Sequence, residues 1–262
     1  SGIALTGNYN TLYGSRAGAA LAGGGNNVAM GRNALATHVD GSYNIAIGVG
    51  AMGDTDSGTT VDGSLGNVLI GEGTGGGAWA NSAVNYTVGV GYQALNGAMT
   101  SDATGSVGVG YRAGYALTSG AGNVAIGYEA LDADDGGNYS TAVGYQALTD
   151  QAGTSGDDAG NTAVGFKAGF DVSSGHYNTL IGRTAGFAIT SGSNNVVIGA
   201  ETAKALSIGH HNTVVGTQAL QVEDVGNHTV AIGFSALNKQ NSDSDNEVTG
   251  NTGVGSYAGY YN

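Results

Sequence analysis

The sequence predicts an all-β protein, a parallel β-solenoid (β-roll) of about 14 coils with a basic period of 17 residues. A nine-residue pattern, present in residues 161–169 as NTAVGFKAG, occurs fourteen times around a central glycine. Eight of the thirteen intervals between central glycines are 17 residues long, and the other five run from 19 to 23. A fixed period in this range is typical of repeat architectures. The central glycines are Gly14, Gly31, Gly48, Gly71, Gly91, Gly110, Gly127, Gly144, Gly165, Gly182, Gly199, Gly216, Gly233 and Gly255.

The composition excludes several classes of protein. The chain has 262 residues with 51 glycines and neither proline nor cysteine. Glycine without a strict three-residue period excludes collagen, and apolar residues that recur in register argue against a disordered linker. A net charge of −13 with only seven Lys and Arg argues against nucleic-acid binding and against anionic membrane surfaces. Apolar runs fall short of the roughly 18 residues of a membrane span, so we expect no membrane insertion.

Asparagine marks the position four residues before the central glycine, which we call the ladder position. Thr87, Ser106, Ser140 and Thr229 replace it in four copies. Identical amides stacked coil upon coil can form a ladder of hydrogen bonds, which we expect here. The ten asparagines are Asn10, Asn27, Asn44, Asn67, Asn123, Asn161, Asn178, Asn195, Asn212 and Asn251.

The three residues before the central glycine form the predicted strand. The first is β-branched in every copy, and the third is Val or Ile in twelve. A small or apolar residue lies between them. We expect the β-branched side chains to point into the core and the small residues to form a second apolar face. A strand that is apolar on both faces is buried on both, so we expect a homotrimer with the second face along its axis rather than a self-sufficient monomer.

The central glycine is never replaced, which indicates a positive φ or a close backbone approach at a corner. Alanine follows three residues later in twelve copies. The position after the glycine carries Tyr92, Tyr111, Tyr128, Tyr145, Phe166 and Phe234, which we expect to stack on a solvent-facing edge. Aspartates fall in the connecting turns. A coil of strand plus helical turn remains an alternative, although glycine in that segment disfavours a helix.

The modules at 123–127 (NVAIG), 195–199 (NVVIG) and 229–233 (TVAIG) resemble head repeats of trimeric autotransporter adhesins. The forms TAVGYQAL at 141–148 and NTAVG at 161–165 look even more like repeats of phage tail fibres. The resemblance covers about Asn8 to Gly259, with a longer period than the adhesin repeat. It implies a three-chain β-roll on a virion or bacterial surface, and residues 1–262 as a single repeat domain processed from a longer fibre protein.

Metal-binding candidates are few. Asp243, Asp245 and Glu247 alternate as oxygen ligands of calcium do, although Val248 stands where an EF-hand loop has glycine. The alternative is an ordinary acidic turn. We expect no required cofactor, with calcium as the candidate ligand.

Other acidic and histidine pairs have simpler interpretations. Adjacent carboxylates at Asp134–Asp135, Asp157–Asp158 and Glu223–Asp224 point apart in turns, so we interpret them as solvated turn acids rather than a glycosidase pair. His210 and His211 are expected to face opposite ways as a solvent-exposed pair.

Receptor-contact candidates lie in the lengthened connections, because loops on a rigid scaffold carry recognition. They are Trp79, Asp54 and Asp56. For Trp79, the only tryptophan, we favour a second role, in which it caps a hydrophobic seam.

These features predict a non-enzymatic, structural and adhesive segment of an extracellular trimeric fibre. Its partners would be its own copies, other fibre or surface segments, and a surface glycan or receptor. A tailspike-like polysaccharide depolymerase is an alternative by analogy of fold. An ice- or crystal-binding solenoid is another, which we disfavour because the six threonines of the β-branched column are expected to face inward.

Overall fold

A computed structural model of the chain describes residues 7–54, 63–79, 83–153, 158–241 and 249–261. In these residues the chain forms fourteen three-residue strands and one short 3-10 helix, Ser101–Ala103, and the residue after each strand is a central glycine. The prediction of an all-β parallel solenoid with a basic 17-residue period is therefore confirmed. The strands are β1 (Thr11–Tyr13), β2 (Val28–Met30), β3 (Ile45–Ile47), β4 (Val68–Ile70), β5 (Val88–Val90), β6 (Val107–Val109), β7 (Val124–Ile126), β8 (Thr141–Val143), β9 (Thr162–Val164), β10 (Thr179–Ile181), β11 (Val196–Ile198), β12 (Thr213–Val215), β13 (Val230–Ile232) and β14 (Thr252–Val254).

The described residues form two compact units, one up to Gly136 and one from Gly137 onward. The first unit contains β1 to β7 and the second β8 to β14, and in each unit the strands pair in parallel in chain order. Pairing is in register, so residues at equivalent positions of successive repeats lie side by side. A single domain over residues 1–262 stays a prediction.

The strand side chains point in the opposite directions from those expected from the sequence. The middle residue of the strand is buried in every strand from β2 to β14, whereas the two flanking β-branched or apolar residues are half-buried or exposed. We call the middle residue the inner strand position and its two neighbours the outer strand positions. The ladder asparagine lies two residues before the inner position and therefore shares its inward face.

The narrow interior of the coil explains why the small residue is the inner one. Leu69 at the inner position is matched by Gly75 in the same coil, where an added Cβ would lie 2.5 Å from a Leu69 methyl. Where the inner residue is Gly89, the position equivalent to Gly75 is Leu95. In these two coils one large side chain crosses the interior, so a large and a small residue exchange places between the inner strand position and the position four residues after the central glycine. The same exchange relates Leu180 and Gly186, Ala29 and Leu35, and Ala46 and Met52.

Both reasons proposed for the central glycine, a positive φ and a close backbone approach, apply in the structure. Its φ lies between 124° and 138° in all fourteen copies, a region that disfavours residues with a Cβ. In Gly110 an added Cβ would also overlap the carbonyl oxygen of Gly127 in the next coil. The segment after the glycine is a series of turns, with bonds such as Ala17 N–H to Gly14 O at 3.2 Å, and not the helical turn left open as an alternative.

The ladder asparagines form a buried column of amide hydrogen bonds in each unit. The Nδ2 of Asn195 donates to Oδ1 of Asn178 at 3.1 Å and to the carbonyl of Gly209 at 2.7 Å. Its Oδ1 accepts from the backbone N–H and the Nδ2 of Asn212 at 2.9 and 3.1 Å. The same bonds join Asn10, Asn27, Asn44 and Asn67 in the first unit. The amides are therefore satisfied without water.

Two breaks in the ladder are filled by glutamine from the same coil. Gln151 Nε2 donates to Oγ of Ser140 at 2.9 Å, and Gln151 Oε1 accepts from Asn161 at 2.9 Å. Gln240 likewise accepts from Asn251 at 2.9 Å and donates to Thr229 at 3.3 Å. Each glutamine follows the short ladder residue by eleven positions, so its longer side chain supplies the missing amide.

Candidate recognition surfaces

The outer strand positions give each unit a flat face of β-branched side chains. In the first unit it is almost wholly apolar, and in the second it alternates threonine with Val and Ile. Ile126, Ile181 and Ile232 at this face are 37 to 39% exposed although their neighbours in adjacent coils flank them. Contiguous exposed apolar surface of this kind marks an interaction site. Sequence reasoning missed this face because it placed these residues in the core.

The aromatic residues that follow the central glycine are half-exposed, and five of the six expected to stack do so; Phe234 instead meets Tyr257 edge-on at an angle of 81°. Tyr92 and Tyr111 lie 5.4 Å apart with a 7° angle between their planes, and Tyr111 and Tyr128 lie 4.9 Å apart at 9°. In the second unit Tyr145 stacks on Phe166 at 5.4 Å. Because the rings cover each other's faces, this column presents mainly ring edges to solvent.

An ion-pair cluster lies beside the stacked rings of the first unit. The guanidinium of Arg112 lies 3.2 Å from a carboxylate oxygen of Asp132 and 3.9 Å from Glu129, and it covers the ring of Tyr115 at 4.2 Å. Burial raises the pKa of Asp132, and the attraction of Arg112 opposes that shift. The cluster resembles a structural surface network, since its charges are paired with each other.

A comparable cluster lies in the second unit. Lys167 Nζ lies 4.7 Å from the ring centre of Phe170, which stacks on Phe187 at 5.3 Å. Burial raises the pKa of Asp171, and the carboxylate of Asp150 in the preceding coil adds to the shift while Lys167 opposes it. On the same surface Glu201 accepts from Gln218 and from Arg183, and these hydrogen bonds lower its pKa.

A second aromatic column occupies the position five residues before the central glycine, which we call the tyrosine position. Its tyrosines are among the most exposed side chains of the described chain, from 55 to 86% exposed. All of them have a φ between 57° and 63°. They are Tyr9, Tyr43, Tyr86, Tyr139 and Tyr177.

Trp79 does not reach the surface as a receptor contact would require. Its side chain is 0% exposed and belongs to the core of the first unit with Leu69, Val84 and Met99. Its Nε1 has no hydrogen-bond partner in the described residues. The receptor-contact prediction for Trp79 is therefore wrong, and the hydrophobic-seam alternative matches its position. The glycines and alanines around it leave the space that the indole ring fills.

The remaining acidic candidates are only partly described. Asp54 is exposed at the last described residue before position 63. Asp56 and the calcium candidates Asp243, Asp245 and Glu247 lie outside the described residues. Within the described ranges no group of three or more His, Cys, Asp or Glu side chains could hold a metal ion.

Two of the paired acids are buried rather than solvated, contrary to expectation. Asp134 is fully buried and accepts from the backbone N–H of Gly136 at 3.3 Å, while Asp135 is exposed. Glu223 is also fully buried; it accepts from the N–H groups of Val225 and Gly226 and from Gln240 Nε2 at 2.8 Å. Asp134 and Asp135 therefore point apart, as their position in a turn predicts, whereas Asp224 beside Glu223 is half-buried.

The two histidines also differ in environment. His210 is half-buried, its Nδ1 accepts from the backbone N–H of Ser193 at 3.0 Å, and burial lowers its pKa. His211 is exposed, with its ring centre 5.0 Å from that of His228. The interpretation as a wholly exposed pair is wrong for His210.

In the parts of the chain that the structure describes, no helix is long and apolar enough to cross a membrane.

The fold and its surfaces together define the class of protein, a tandem-repeat parallel β-solenoid with an outward apolar strand face. No family model, curated protein or solved structure matches the chain.

Proposed function

We propose that the chain is a non-enzymatic, structural and adhesive segment of an extracellular homotrimeric fibre, of the phage tail-fibre or cell-surface adhesin type. The observation that carries the proposal is the outward strand face, on which two columns of β-branched or apolar residues run through each unit. A monomer would leave this face in water on every coil, at a cost that grows with the number of repeats.

Other copies of the same chain are the partners that best fit this face. The face repeats with the coil, so an identical chain matches it coil by coil, and a symmetric assembly buries the same residues of every copy. The face on the axis would be the β-branched one, and not the small-residue face named from the sequence, because the small residues fill the interior of the coil.

The outer threonines favour a second candidate, an ice- or crystal-binding face. Thr141, Thr162, Thr179, Thr213 and Thr252 occupy the first outer strand position of the second unit and face outward, so the objection that they face inward no longer holds. A regular row of hydroxyls and methyls on a flat sheet suits an ordered crystal surface. The first unit has valine and isoleucine at this position from β2 to β7, which favours a protein partner instead.

Solution mass tests the proposal. Analytical ultracentrifugation at two concentrations should give a concentration-independent mass near three times 25.6 kDa. A monomeric mass would overturn the trimer and leave the strand face free, and thermal hysteresis of ice growth would then test the second candidate. Repeating the run with EDTA tests calcium, since dissociation only in EDTA would make it a structural ion.

The depolymerase alternative has its own assay. Incubation with capsular polysaccharide or lipopolysaccharide should release no reducing ends if the segment is non-enzymatic. Release of reducing ends would replace the structural proposal with an enzymatic one.

A further inference from the structure

The tyrosine position carries side chains that the fold itself does not require. In other repeats the same position holds glycine, asparagine or histidine, as in Gly66, Gly160, Asn26, Asn194 and His211. Those residues adopt the left-handed conformation easily, whereas a bulky residue such as tyrosine pays a conformational cost. The five tyrosines adopt this conformation with most of each side chain in water, so packing within the fold does not explain the rings, and they indicate a role at the surface.

Two of the tyrosine rings contact the preceding coil through one edge only. An added Cβ on Gly66 would lie 2.9 Å from Cδ1 and 3.1 Å from Cε1 of Tyr86, and no other atom lies within 4 Å of that point. Tyr177 makes the same contact with Gly160, at 2.9 and 3.1 Å. One edge of each ring therefore rests on the glycine of the preceding coil. Tyr86 remains 61% exposed, and Tyr177 remains 55% exposed with the ring of His176 6.2 Å from its own at an angle of 74°. More than half of each side chain is therefore accessible to a ligand.

The tyrosines recur on every second coil within each unit. Tyr9, Tyr43 and Tyr86 precede β1, β3 and β5, and Tyr139 and Tyr177 precede β8 and β10. Adjacent parallel strands lie about 4.8 Å apart, so successive tyrosines are spaced by roughly 10 Å. This spacing is close to the length of two 1,4-linked pyranose rings in an extended chain. Small residues occupy the position in the intervening coils, which leaves room along the row.

We propose that the tyrosine position is a binding row for an extended neutral polysaccharide, with every second sugar packed on a tyrosine ring. The apolar C–H face of a pyranose matches an open aromatic face, and the neighbouring side chains offer hydrogen bonds to hydroxyls. Beside Tyr86 these are Asn85 and, in the next coil, Thr104, both half-buried and uncharged. Each also bonds within the fold, Asn85 Oδ1 accepting from Leu65 N–H and Thr104 Oγ1 donating to the Ser101 carbonyl, so a sugar would use their remaining hydrogen-bonding capacity. The net charge of −13 disfavours anionic glycans.

This inference deepens the adhesive part of the proposed function and rests on it, yet it concerns different residues from the strand face. The two can fail separately. A monomeric mass with tyrosine-dependent binding would overturn the fibre alone, and a trimer without binding would overturn the polysaccharide row alone.

Affinity electrophoresis of the whole chain in gels that contain hydroxyethyl cellulose, mannan or dextran tests the proposal, with dextran sulfate as the anionic comparator. The wild-type chain should be retarded by at least one neutral polysaccharide. The triple variant Tyr9→Asn, Tyr43→Asn, Tyr86→Asn should bind about tenfold more weakly, because it loses the stacking of the first unit. Asparagine already occupies this position in other coils, so the unfolding midpoint and mass should not fall.

The matched control is the double variant Tyr92→Asn, Tyr111→Asn in the stacked column, where ring faces are covered, and it should bind as the wild type does. Absence of retardation in all three neutral gels overturns the proposal. So does retardation by dextran sulfate alone, or a triple variant that binds undiminished. A triple variant that loses mass or stability would instead assign these tyrosines a structural role and also overturn it.

Discussion

Asn195 shows how a single buried amide connects three coils. Its side chain bonds to Asn178 in the coil before, to Asn212 in the coil after, and to the carbonyl of Gly209 in its own coil. All of these groups are buried. A buried polar group that loses its partner costs more than the bond contributes, so the ladder specifies the stacking register as much as it stabilises it.

We therefore expect Asn195→Ala to lower the free energy of unfolding by at least about 2 kcal/mol, because it leaves the Gly209 carbonyl and the backbone N–H of Asn212 without their partner. Asn195→Thr should cost less, since Thr87 holds the same position in the first unit and donates to Asn67 at 2.7 Å. Thermal or denaturant unfolding of both variants measures the difference. Equal losses for the two would show that the space left behind, and not the hydrogen bonds, dominates.

The surface carboxylate of Asp171 gives a pH-dependent prediction. Its pKa is raised in the fold, chiefly by burial, so the folded chain binds this proton more tightly than the unfolded chain does. The charged form consequently reduces stability above the folded pKa, and this penalty disappears below the ordinary value of 3.8. Asp171→Asn should raise the unfolding midpoint at pH 7, with a difference from wild type that vanishes as the pH falls below 3.8.

The attraction of Lys167 opposes burial, which limits the gain from Asp171→Asn. Asp158→Asn, at an exposed position of the same unit, is the control and should change the midpoint little at any pH. Calorimetric scans at several pH values compare the variants. A lower midpoint for Asp171→Asn at pH 7 would mean that the contact with Lys167 outweighs burial.

At the scale of the element, each repeat combines a three-residue strand with a glycine corner. The strand is too short to be stable alone, and its hydrogen bonds go to the neighbouring coils. The glycine corner lets consecutive coils approach closely, because its missing side chain leaves room for the backbone of the next coil. The element is therefore defined by stacking, and substitutions at the corner should affect neighbouring coils as well as their own.

Gly110 and Gly105 form a matched pair for this claim, since both have a positive φ and lie in one repeat. At Gly110 an added Cβ would overlap the Gly127 carbonyl, while at Gly105 it would meet nothing within 4 Å. Gly105→Ala should cost only the left-handed conformation, about 1–2 kcal/mol. Gly110→Ala should cost several times more or prevent folding, because the Cβ would overlap the next coil and because the φ of 138° is less accessible to alanine than the 77° of Gly105. Similar midpoints for the two variants would contradict the close approach of coils.

The repeat period, the strand positions and the corner could be predicted from the sequence, because each has a residue type that physical chemistry restricts. The direction in which the strand side chains point, inward or outward, could not be predicted. Ala142 and its neighbours Thr141 and Val143 are all compatible with a buried or an outward position, so no charged residue marks the outside. The ladder asparagine was the available signal, because a column of paired amides needs a buried site and the inner strand position shares its face.

The recognition surfaces were predicted less well than the fold. Trp79 was named as a receptor-contact candidate because it lies in a long connection, yet its burial matches the hydrophobic seam that was favoured for it. The tyrosine position was missed because tyrosine alternates there with glycine, asparagine and histidine, which obscures the column in the sequence. Its signal was the fixed distance of five residues from the central glycine.

At the scale of the whole molecule, the main consideration is how the apolar strand face, which repeats on every coil, is covered from water. In one chain the outer strand residues are only half covered, whereas three chains around an axis would cover them completely. The proposal of a homotrimer therefore predicts that a charge on this face acts on assembly far more than on the fold of a coil.

Ile181→Asp tests this prediction, because Ile181 is 37% exposed and its replacement leaves the coil interior intact. In a symmetric trimer the three carboxylates would meet near the axis, where burial and mutual repulsion oppose ionisation. We expect the variant to sediment at the mass of a single chain or to form an assembly that dissociates on dilution and is restored at low pH. Thr217→Asp, an exposed turn position beside β12, should keep the mass of the wild type. If Ile181→Asp retains a stable trimer at neutral pH, the chains do not meet through this face.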